Sequence, residues 1–223
     1  MRRALILGGR GDIGGAISRQ LSLDGLEAVS VGKSDFSLES FEEIDAYFSK
    51  SGNNFDVLVH SAGLNHPKLF EQLSEEEISE SLDVNLRGFL HAVRICLPHW
   101  KKNNYGKILV ISSLYGFFAR RGRLPYVVAK HALCGAVKTL AIELAEHGIL
   151  VNSVSPGYIE TKMTYANNSP EVIQKLLSGI PLARLGTPQD IAEVASFLCS
   201  SKNKYLTGQD IVVDGGFSAG GFQ

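Results

Sequence analysis

A tyrosine and a lysine four residues apart are the side chains in this sequence best suited to proton transfer. Tyr126 and Lys130 lie in a helix-like stretch, so they share one helix face and can reach a common point. An ammonium within roughly 4–6 Å of a phenol favours the phenolate and lowers the phenol pKa from its ordinary value of about 10. Ser113 ends an apolar run and could donate a second hydrogen bond to the same substrate oxygen. The three side chains suit the reversible reduction of a carbonyl, provided that a nearby group carries the hydride.

The Tyr-x-x-x-Lys spacing has little specificity on its own. Tyr158 and Lys162 show the same spacing, but they follow Pro156-Gly157 and are predicted to lie in a loop. Taken alone, the Tyr126/Lys130 pair is more simply a buried aromatic beside a solvated lysine. The catalytic interpretation therefore depends on the motifs that surround the pair.

A glycine-rich turn joins the first predicted strand, Ala4–Leu7, to a helical pattern that begins near Ala16. In this context a dinucleotide pyrophosphate binds at the helix N-terminus, and glycines let the backbone approach it closely. The segment therefore predicts a dinucleotide-binding turn. The cofactor contacts expected in it are Gly8, Arg10, Gly11, Asp12, Ile13 and Gly14.

The end of the second predicted strand, Ala28–Val31, bears on the choice between NADP and NAD. An acidic residue there would bind the ribose hydroxyls of NAD, but this chain has Gly32 followed by Lys33. A cation with a neighbouring hydroxyl suits the 2′-phosphate of NADP, and Arg10 could assist. NADP(H) is favoured, but NAD(H) stays open because Asp35 lies only slightly further along and could itself approach the ribose. The contacts expected in this segment are Lys33, Ser34, Asp35 and Phe36.

Two further predicted strands end where ligands bind in open parallel sheets. Asp56–His60 leads into Ser61-Ala62-Gly63, whose small side chains would let the backbone pass close to a ligand. Lys107–Ser112 delivers Ser113 at its carboxyl end in the same way. Asn85 is a polar residue in an apolar helical stretch, and it is either a satisfied core amide or part of the site.

Composition excludes several classes of function. The 223 residues carry a formal net charge of −1, with 44% hydrophobic and 20% charged residues, which indicates a folded globular protein. Nucleic-acid binding is not expected because no long basic block is present. Membrane association is not expected either, since no apolar segment could span a bilayer and the N-terminus enters a strand directly. Three separated cysteines indicate a reduced, cytoplasmic protein, and no metal site is predicted.

Strands and helices alternate along the chain without a linker or a repeat. This pattern predicts a single α/β domain over residues 1–223, with a Rossmann-type doubly wound parallel sheet. One helix is predicted from Glu75 to about Trp100, and the tyrosine-bearing helix over Tyr126–Glu146. Further helices are predicted over 38–51, 169–178 and 187–200, and further strands over 149–154 and 210–213.

Several motifs, taken in order, resemble the short-chain dehydrogenase/reductase family over essentially the whole chain. Ser113 precedes Tyr126 by thirteen residues, the separation usual in that family, and Lys130 follows. The glycine turn, His60-Ser61-Ala62-Gly63 and Asn85 resemble the family's cofactor turn, its Asn-Asn-Ala-Gly segment and its catalytic asparagine. The last third is most similar to beta-ketoacyl-carrier-protein reductases. Its matching segments are Pro156-Gly157 with Thr161, then residues 180–188, 206–209 and 213–216.

This resemblance implies an oxidoreductase that interconverts a ketone and a secondary alcohol. Tyr126 would be the acid/base, and Lys130 would bind the nicotinamide ribose and depress the tyrosine pKa. Ser113 would position the carbonyl, and Asn85 would hold a water in a proton relay. A homo-oligomer, either a dimer or a tetramer, is also implied, with the Tyr126 helix in an interface. The segment after the fifth strand would add the cofactor contacts Pro156, Gly157, Ile159 and Thr161.

The chain departs from the family pattern in three places. Asp12 stands where many relatives have glycine, and Ser61 replaces the second asparagine of Asn-Asn-Ala-Gly. The largest departure is a deletion, because Gly32-Lys33-Ser34 runs directly into Asp35-Phe36-Ser37 and the next helix. We expect the sheet to be shortened by one helix and one edge strand after strand two, which would leave the adenine pocket more open.

Three arginines, Arg120, Arg121 and Arg123, lie between Ser113 and Tyr126 in a loop expected near the substrate. A solvated or subunit-contact cluster is the slightly favoured interpretation. The alternative is a receptor for an anionic substrate, such as a phosphopantetheine or a phosphorylated or nucleotide-linked sugar.

The favoured function is NADP(H)-dependent interconversion of a ketone and a secondary alcohol on a small-molecule or carrier-linked substrate. The substrate is open between a beta-ketoacyl thioester and a sugar or nucleotide-sugar ketone of polysaccharide biosynthesis. The competing class is a catalytically silent NADP(H) sensor. The presence of all four catalytic residue types disfavours that class.

Overall fold

The computed structural model describes residues 1–220, which form one parallel sheet with helices on both faces. The strands are β1 (Arg3–Leu7), β2 (Glu27–Val31), β3 (Val57–His60), β4 (Gly106–Ile111), β5 (Ile149–Pro156) and β6 (Asp210–Val213). The helices are α1 (Asp12–Leu23), α2 (Phe41–Ser51), α3 (Glu75–Leu82), α4 (Gly88–Asn103), α5 (Leu124–Leu144), α6 (Lys162–Ala166), α7 (Pro170–Ser178) and α8 (Pro188–Cys199).

The strand order is β2-β1-β3-β4-β5-β6, and every neighbouring pair is parallel. β1 has β2 on one side and β3 on the other, so the order reverses at β1. Ligands of open α/β sheets bind at such a reversal, outside the carboxyl ends of the strands. β2 is an edge strand and is followed directly by α2, which confirms the predicted loss of one helix and one strand.

Two hydrophobic layers cover the sheet, because successive strand residues point to opposite faces. Leu5 and Leu7 of β1 pack with α2, α4 and α5. Ala4 and Ile6 of the same strand pack with α1 and α8. Burial on both faces explains why the strands read as continuous apolar runs, as is usual for parallel sheets.

The segment predicted as one helix from Glu75 to about Trp100 differs in its middle. A π-helical turn, Asp83–Arg87, separates α3 from α4, and α4 continues to Asn103. The turn contains Asn85, whose side chain bonds both Ser81 O in α3 and the segment after β3. Such a wider turn disrupts the regular backbone hydrogen bonds of the helix and is frequent at functional sites.

Most other boundaries agree with the sequence predictions to within three residues. The helix predicted from residue 38 begins at Phe41, because the Ser40 hydroxyl accepts the Glu43 amide at 3.2 Å and caps it. The short helix α6 was not predicted. It begins at Lys162 and is capped by Thr161, whose hydroxyl accepts the Thr164 amide at 3.2 Å.

The cysteines of the chain are free thiols, and two of them belong to the core. Cys96 and Cys199 are buried, and burial raises the pKa of each thiol to about 12. Within residues 1–220, none of the helices combines the length and the apolar character needed to cross a membrane. The same residues contain no cluster of three side chains suited to holding a metal ion.

Candidate active site

The glycine-rich turn and Tyr126 line one cavity of about 590 Å³. The cavity lies at the carboxyl ends of β1, β3, β4 and β5, where the strand order predicts a ligand site. Its volume falls in the range usual for small-molecule and cofactor sites, roughly 300–1,000 Å³. The two motifs that are far apart in sequence therefore open into the same space.

The N-terminus of α1 lacks a side-chain cap. Gly11 is its N-cap residue and provides no side-chain acceptor, so the first-turn amides have no capping partner. Five other helices, by contrast, begin at a serine or threonine whose hydroxyl accepts a first-turn amide: α2, α3, α6, α7 and α8. Gly8 has a φ of +79°, and a Cβ there would approach Ala62 N to 2.5 Å. The uncapped amides and this close-packed turn fit the pyrophosphate of a dinucleotide.

The turn after β2 borders the cavity beside the glycine-rich turn. Arg10 forms a bidentate pair with Asp35, with Nε–Oδ2 and Nη2–Oδ1 distances of 2.8 and 2.7 Å. The Gly32 amide also donates to Asp35, and the Arg10 and Gly32 bonds hold the pKa of that carboxyl below its usual range. The Asp35 carboxylate is thus engaged by protein groups. Of the contacts expected in this segment, Lys33 and Phe36 line the cavity, whereas Ser34 and Asp35 do not.

The side chain of Asn85 connects the π-helical turn to the segment after β3 by hydrogen bonds. Its Nδ2 donates to Leu64 O at 2.8 Å and to Ser81 O at 2.7 Å, while its Oδ1 accepts the Leu64 amide at 3.3 Å. Asn85 is 0% exposed and is not among the cavity's lining residues. Its water-holding role stays a prediction. Ser61, Ala62 and Gly63, which it helps to position, do line the cavity.

His60 occupies the first position of the segment that resembles Asn-Asn-Ala-Gly. Its Nε2 lies 2.9 Å from the Asn85 carbonyl oxygen, so this nitrogen carries the proton and donates. Its Nδ1 is buried without a hydrogen-bond partner among the described residues. Burial first, and then the charge of Lys130, lowers the pKa of His60 to about 3. The imidazole is therefore neutral at physiological pH.

The three side chains predicted to do the chemistry converge at the end of β4. Ser113 lies two residues after the end of β4, and Tyr126 and Lys130 come from the first two turns of α5. Lys130 is 2% exposed; its Nζ donates to Ile111 O at 2.9 Å and lies 5.3 Å from the Tyr126 ring centroid. All three predicted residues line the cavity.

Burial is the largest influence on the pKa of both Tyr126 and Lys130. Burial raises the pKa of Tyr126 to about 12, and its hydrogen bond with the Ser113 hydroxyl acts in the opposite direction. Burial also lowers the pKa of Lys130 to about 8. The ammonium is directed at a main-chain carbonyl, and Tyr126 keeps its proton at neutral pH. In this arrangement Tyr126 is set up to donate a proton to a substrate oxygen.

The part of the cavity beside Tyr126, called its substrate end below, is lined by the loops after β4 and β5. Arg120 Nη1 donates to the Tyr115 hydroxyl at 2.9 Å, and the Tyr115 ring lies 6.2 Å from that of Tyr126. Tyr158, predicted only as part of a loop, also lines the cavity. Its position two residues after the end of β5 is the signal that could have identified it, because loops at the carboxyl ends of parallel strands meet at the ligand site.

The segment after β5 closes over the glycine turn. The four cofactor contacts implied by the family resemblance all line the cavity: Pro156, Gly157, Ile159 and Thr161. Asp12, in the first turn of α1, accepts the Lys162 amide at 2.7 Å. The aspartate that replaces the usual glycine therefore ties α6 to the cofactor side of the cavity.

Comparison with known proteins decides the family. Residues 18–218 match the family model described as enoyl-(acyl carrier protein) reductase. A 3-oxoacyl-(acyl-carrier-protein) reductase of Aquifex aeolicus is 38% identical over 216 residues, which cover 95% of this chain and 86% of that protein. The chain belongs to the short-chain dehydrogenase/reductase family. This short-chain dehydrogenase/reductase is thus an oxidoreductase of the type that uses a nicotinamide cofactor.

Solved structures of the family superimpose closely on this short-chain dehydrogenase/reductase. A 4-hydroxyisoleucine dehydrogenase in complex with NADH has a TM-score of 0.92 and 27% identity, covering 99% of this chain and 100% of that one. A Beutenbergia cavernae protein, assigned by inference as an NAD(P)-dependent gluconate 5-dehydrogenase, holds NADP at low occupancy. It has a TM-score of 0.92 and 28% identity, covering 98% of this chain and 97% of that one.

Proposed function

We propose that this protein is an NADP(H)-dependent oxidoreductase that interconverts a ketone and a secondary alcohol, with Tyr126 as the acid/base. The observation that carries the proposal is the single cavity lined both by the glycine turn and by Ser113, Tyr126 and Lys130. A nicotinamide bound there would supply or accept the hydride. The protein's part is to hold the carbonyl and to move the proton.

Each catalytic side chain has a defined task in the direction of reduction. The Tyr126 hydroxyl donates its proton to the substrate oxygen, and the Ser113 hydroxyl stabilises the same oxygen by a second hydrogen bond. The Lys130 ammonium stabilises the phenolate that remains after the proton has left. Asn85 acts as a positioning residue, because its side chain fixes the backbone around Gly63 and Leu64.

The preference for NADP(H) over NAD(H) rests on the turn after β2. Gly32 replaces the acidic residue that would bind the ribose hydroxyls of NAD, and the nearby Asp35 carboxylate is paired with Arg10. Lys33 lines the cavity with its side chain 80% exposed, and its surface ion pair with Glu39 at 3.4 Å is weak enough to be exchanged for a 2′-phosphate. NADP in a solved relative agrees with this choice.

Two substrate classes are supported by the relatives. Curated relatives include reductases of 3-oxoacyl-(acyl-carrier-protein), which supports a beta-ketoacyl thioester. Some solved relatives are named for 4-hydroxyisoleucine or gluconate, which are hydroxy acids, and another is named for a betaketoacyl-ACP. A sugar ketone is compatible with the same cavity, but no observation supports it specifically.

We also propose that the chain is one domain over residues 1–223 that acts in the cytoplasm as a homo-oligomer. Exposed apolar side chains along α5 support an interface on the tyrosine-bearing helix: Leu124 is 45% exposed, Val128 47% and Ile142 81%. Free thiols agree with a reducing compartment.

The proposal is tested by NADPH oxidation with a panel of ketones that includes free keto acids, their esters and acetoacetyl-coenzyme A. We expect Tyr126→Phe to lower kcat by about 10²–10⁴-fold, because the variant keeps the ring but loses the proton. NADPH should bind both proteins equally, and more tightly than NADH binds either. Binding of NADPH without turnover across the panel would instead support a silent sensor.

A further inference from the structure

Arg123 is a buried cation that lines the cavity and has one hydrogen-bond donor without a partner among the described residues. The residue is 6% exposed and lines the cavity between β4 and α5. Its Nη2 makes one long bond, 3.4 Å to the Asn167 carbonyl. Its Nη1 is buried and has no hydrogen-bond partner among residues 1–220. A buried donor of this kind is costly to leave unpaired, and more so on a charged group.

A second arginine strengthens the positive charge in the same place. Arg120 also lines the cavity, and its partners are neutral: the Tyr115 hydroxyl at 2.9 Å and Asn168 Oδ1 at 3.5 Å. Burial and the neighbouring Arg120 charge both lower the pKa of Arg123. The two guanidinium groups thus repel each other in a partly desolvated space.

No carboxylate of the described chain neutralises this pair. Neither arginine forms an ion pair within residues 1–220. The acidic side chains that line the cavity bond elsewhere: Asp12 to the Lys162 amide, Glu39 to Lys33 and Ser37, and Glu80 to His66. An uncompensated buried charge is strongly destabilising, so its retention points to an anion that completes the site.

The position of Arg123 relative to the reacting group restricts what that anion is. Arg123 immediately precedes α5 and lies three residues before Tyr126, close enough for its charge to lower the tyrosine pKa. A phosphate at the far end of a pantetheine arm would be separated from the ketone by the whole arm. A carboxylate on the substrate itself, a few bonds from its carbonyl, fits both groups and pairs in a bidentate manner with a guanidinium.

We propose that Arg123 and Arg120 form a carboxylate subsite, and that the substrate is a small free keto acid or the corresponding hydroxy acid. This rests on the proposed ketone–alcohol chemistry at Tyr126, which it narrows to substrates that carry their own anion. Arg123 binds the carboxylate directly, and Arg120 is held beside it by Tyr115. A neutral acyl thioester leaves the subsite unfilled.

The test compares an acid with its ester in a matched set of variants. Arg123→Met removes the charge but keeps the length of the side chain, Arg123→Lys keeps the charge, and Arg121→Met removes an exposed arginine of the same loop that lies outside the cavity. Their kcat/KM values are measured with 3-oxobutanoate and with methyl 3-oxobutanoate. We expect Arg123→Met to lower kcat/KM by about 10- to 100-fold for the acid and by less than about threefold for the ester. Arg123→Lys should keep part of the kcat/KM that Arg123→Met loses with the acid. Arg121→Met should leave kcat/KM unchanged for both substrates.

A binding measurement separates this proposal from the proposed function. Succinate, which has no ketone, should raise the melting temperature of the wild-type protein with NADP⁺, and of Arg121→Met, but not of Arg123→Met. Removing a buried unpaired charge should leave Arg123→Met at least as thermostable as the wild type without succinate, which shows that it folds. The subsite would be overturned if Arg123→Met lost kcat/KM equally with the acid and the ester, and if succinate did not raise the melting temperature of the wild type. Ketone reduction by the wild type would then leave the catalytic proposal standing. A succinate effect that depends on Arg123, without reduction of any ketone, would support the subsite and count against the catalytic proposal.

Discussion

At the scale of single residues, burial sets the protonation of Tyr126 and Lys130. It raises the pKa of Tyr126 to about 12 and lowers that of Lys130 to about 8. At pH 7 both groups therefore carry their protons, as reduction of a carbonyl requires. The order of the two values has a consequence for rates, because Lys130 loses its proton first as the pH rises.

The pH dependence of reduction should report Lys130. We expect kcat/KM for NADPH-dependent reduction to be flat below pH 7 and to fall above about pH 8, by about tenfold per pH unit, since neutral Lys130 no longer stabilises the phenolate. Lys130→Arg keeps the charge and should lack this inflection in whatever activity remains. Lys138→Arg, an exposed lysine on the same helix, should behave like the wild type. A wild-type profile that stays flat to pH 10 contradicts the assignment.

Residue types and spacings predicted the chemistry of the site, but not the partners of each side chain. Ser113, Tyr126 and Lys130 could be assigned because their spacing on a strand end and a helix dictates their convergence. The direction of the Lys130 ammonium toward Ile111 O could not, since a main-chain acceptor leaves no mark in the sequence. The burial of Arg123, as opposed to the exposure of Arg121, was equally invisible because both lie in one basic loop.

At the scale of elements, one bond connects the two halves of the cavity wall. Asp12 on α1 accepts the Lys162 amide at the start of α6. α6 has only five residues and contributes nothing to the buried core, so little else in its own sequence holds it in place. The bond places α6 over the substrate end while the cofactor side stays fixed by α1.

Removing that acceptor should loosen α6 without unfolding the protein. We expect Asp12→Ala to speed amide hydrogen exchange of residues 162–166 by roughly 10-fold, because a hydrogen bond to a charged group contributes about 1.5–3 kcal/mol, part of which water replaces. Exchange mass spectrometry of the cofactor-free protein measures this. Asp24→Ala serves as the control, since Asp24 lies at the other end of α1 and bonds Ser196 on α8. Unchanged exchange at 162–166 in Asp12→Ala would show that α6 is held by other contacts.

Regular elements were predictable wherever one physical signal dominated. The buried strands appear as apolar runs, and β6 has the predicted bounds of Asp210–Val213. Helix α8 follows the cap at Thr187, whose hydroxyl accepts the Asp190 amide at 3.2 Å. The π-helical turn around Asn85 was not predictable, because its cause is a set of bonds to Leu64 and Ser81 that only the folded chain brings together.

At the scale of the whole molecule, the shortened sheet could be predicted because the chain lacks the residues that would form another helix and strand between β2 and α2. The convergence of the loops after β3, β4 and β5 was only partly readable, because it depends on how neighbouring strands are ordered. His60 lies where these parts meet. It ends the central strand β3, bonds the π-helical turn through Asn85 O, and stacks on Phe89 of α4 at 5.0 Å between ring centroids.

Acid should therefore destabilise the whole fold through His60. Its pKa is about 3 in the folded protein, and an unfolded histidine has a pKa of about 6.5. Between these values the unfolded chain binds the extra proton, so His60 contributes stability that is complete above about pH 6.5 and is lost as the pH falls toward 3. Protonation would place a charge on buried Nδ1, which has no partner among residues 1–220, close to the positive charge of Lys130.

We expect the free energy of unfolding to fall by on the order of 2 kcal/mol between pH 7 and pH 4.5 because of this one group. Urea denaturation at several pH values measures the difference. His60→Asn should be less stable at pH 7, since it loses the stacking on Phe89, but its stability should depend less on pH over this range. His131→Asn, an exposed histidine on α5, should keep the wild-type slope. An equal slope in His60→Asn and the wild type would mean that acid acts on the fold through other groups.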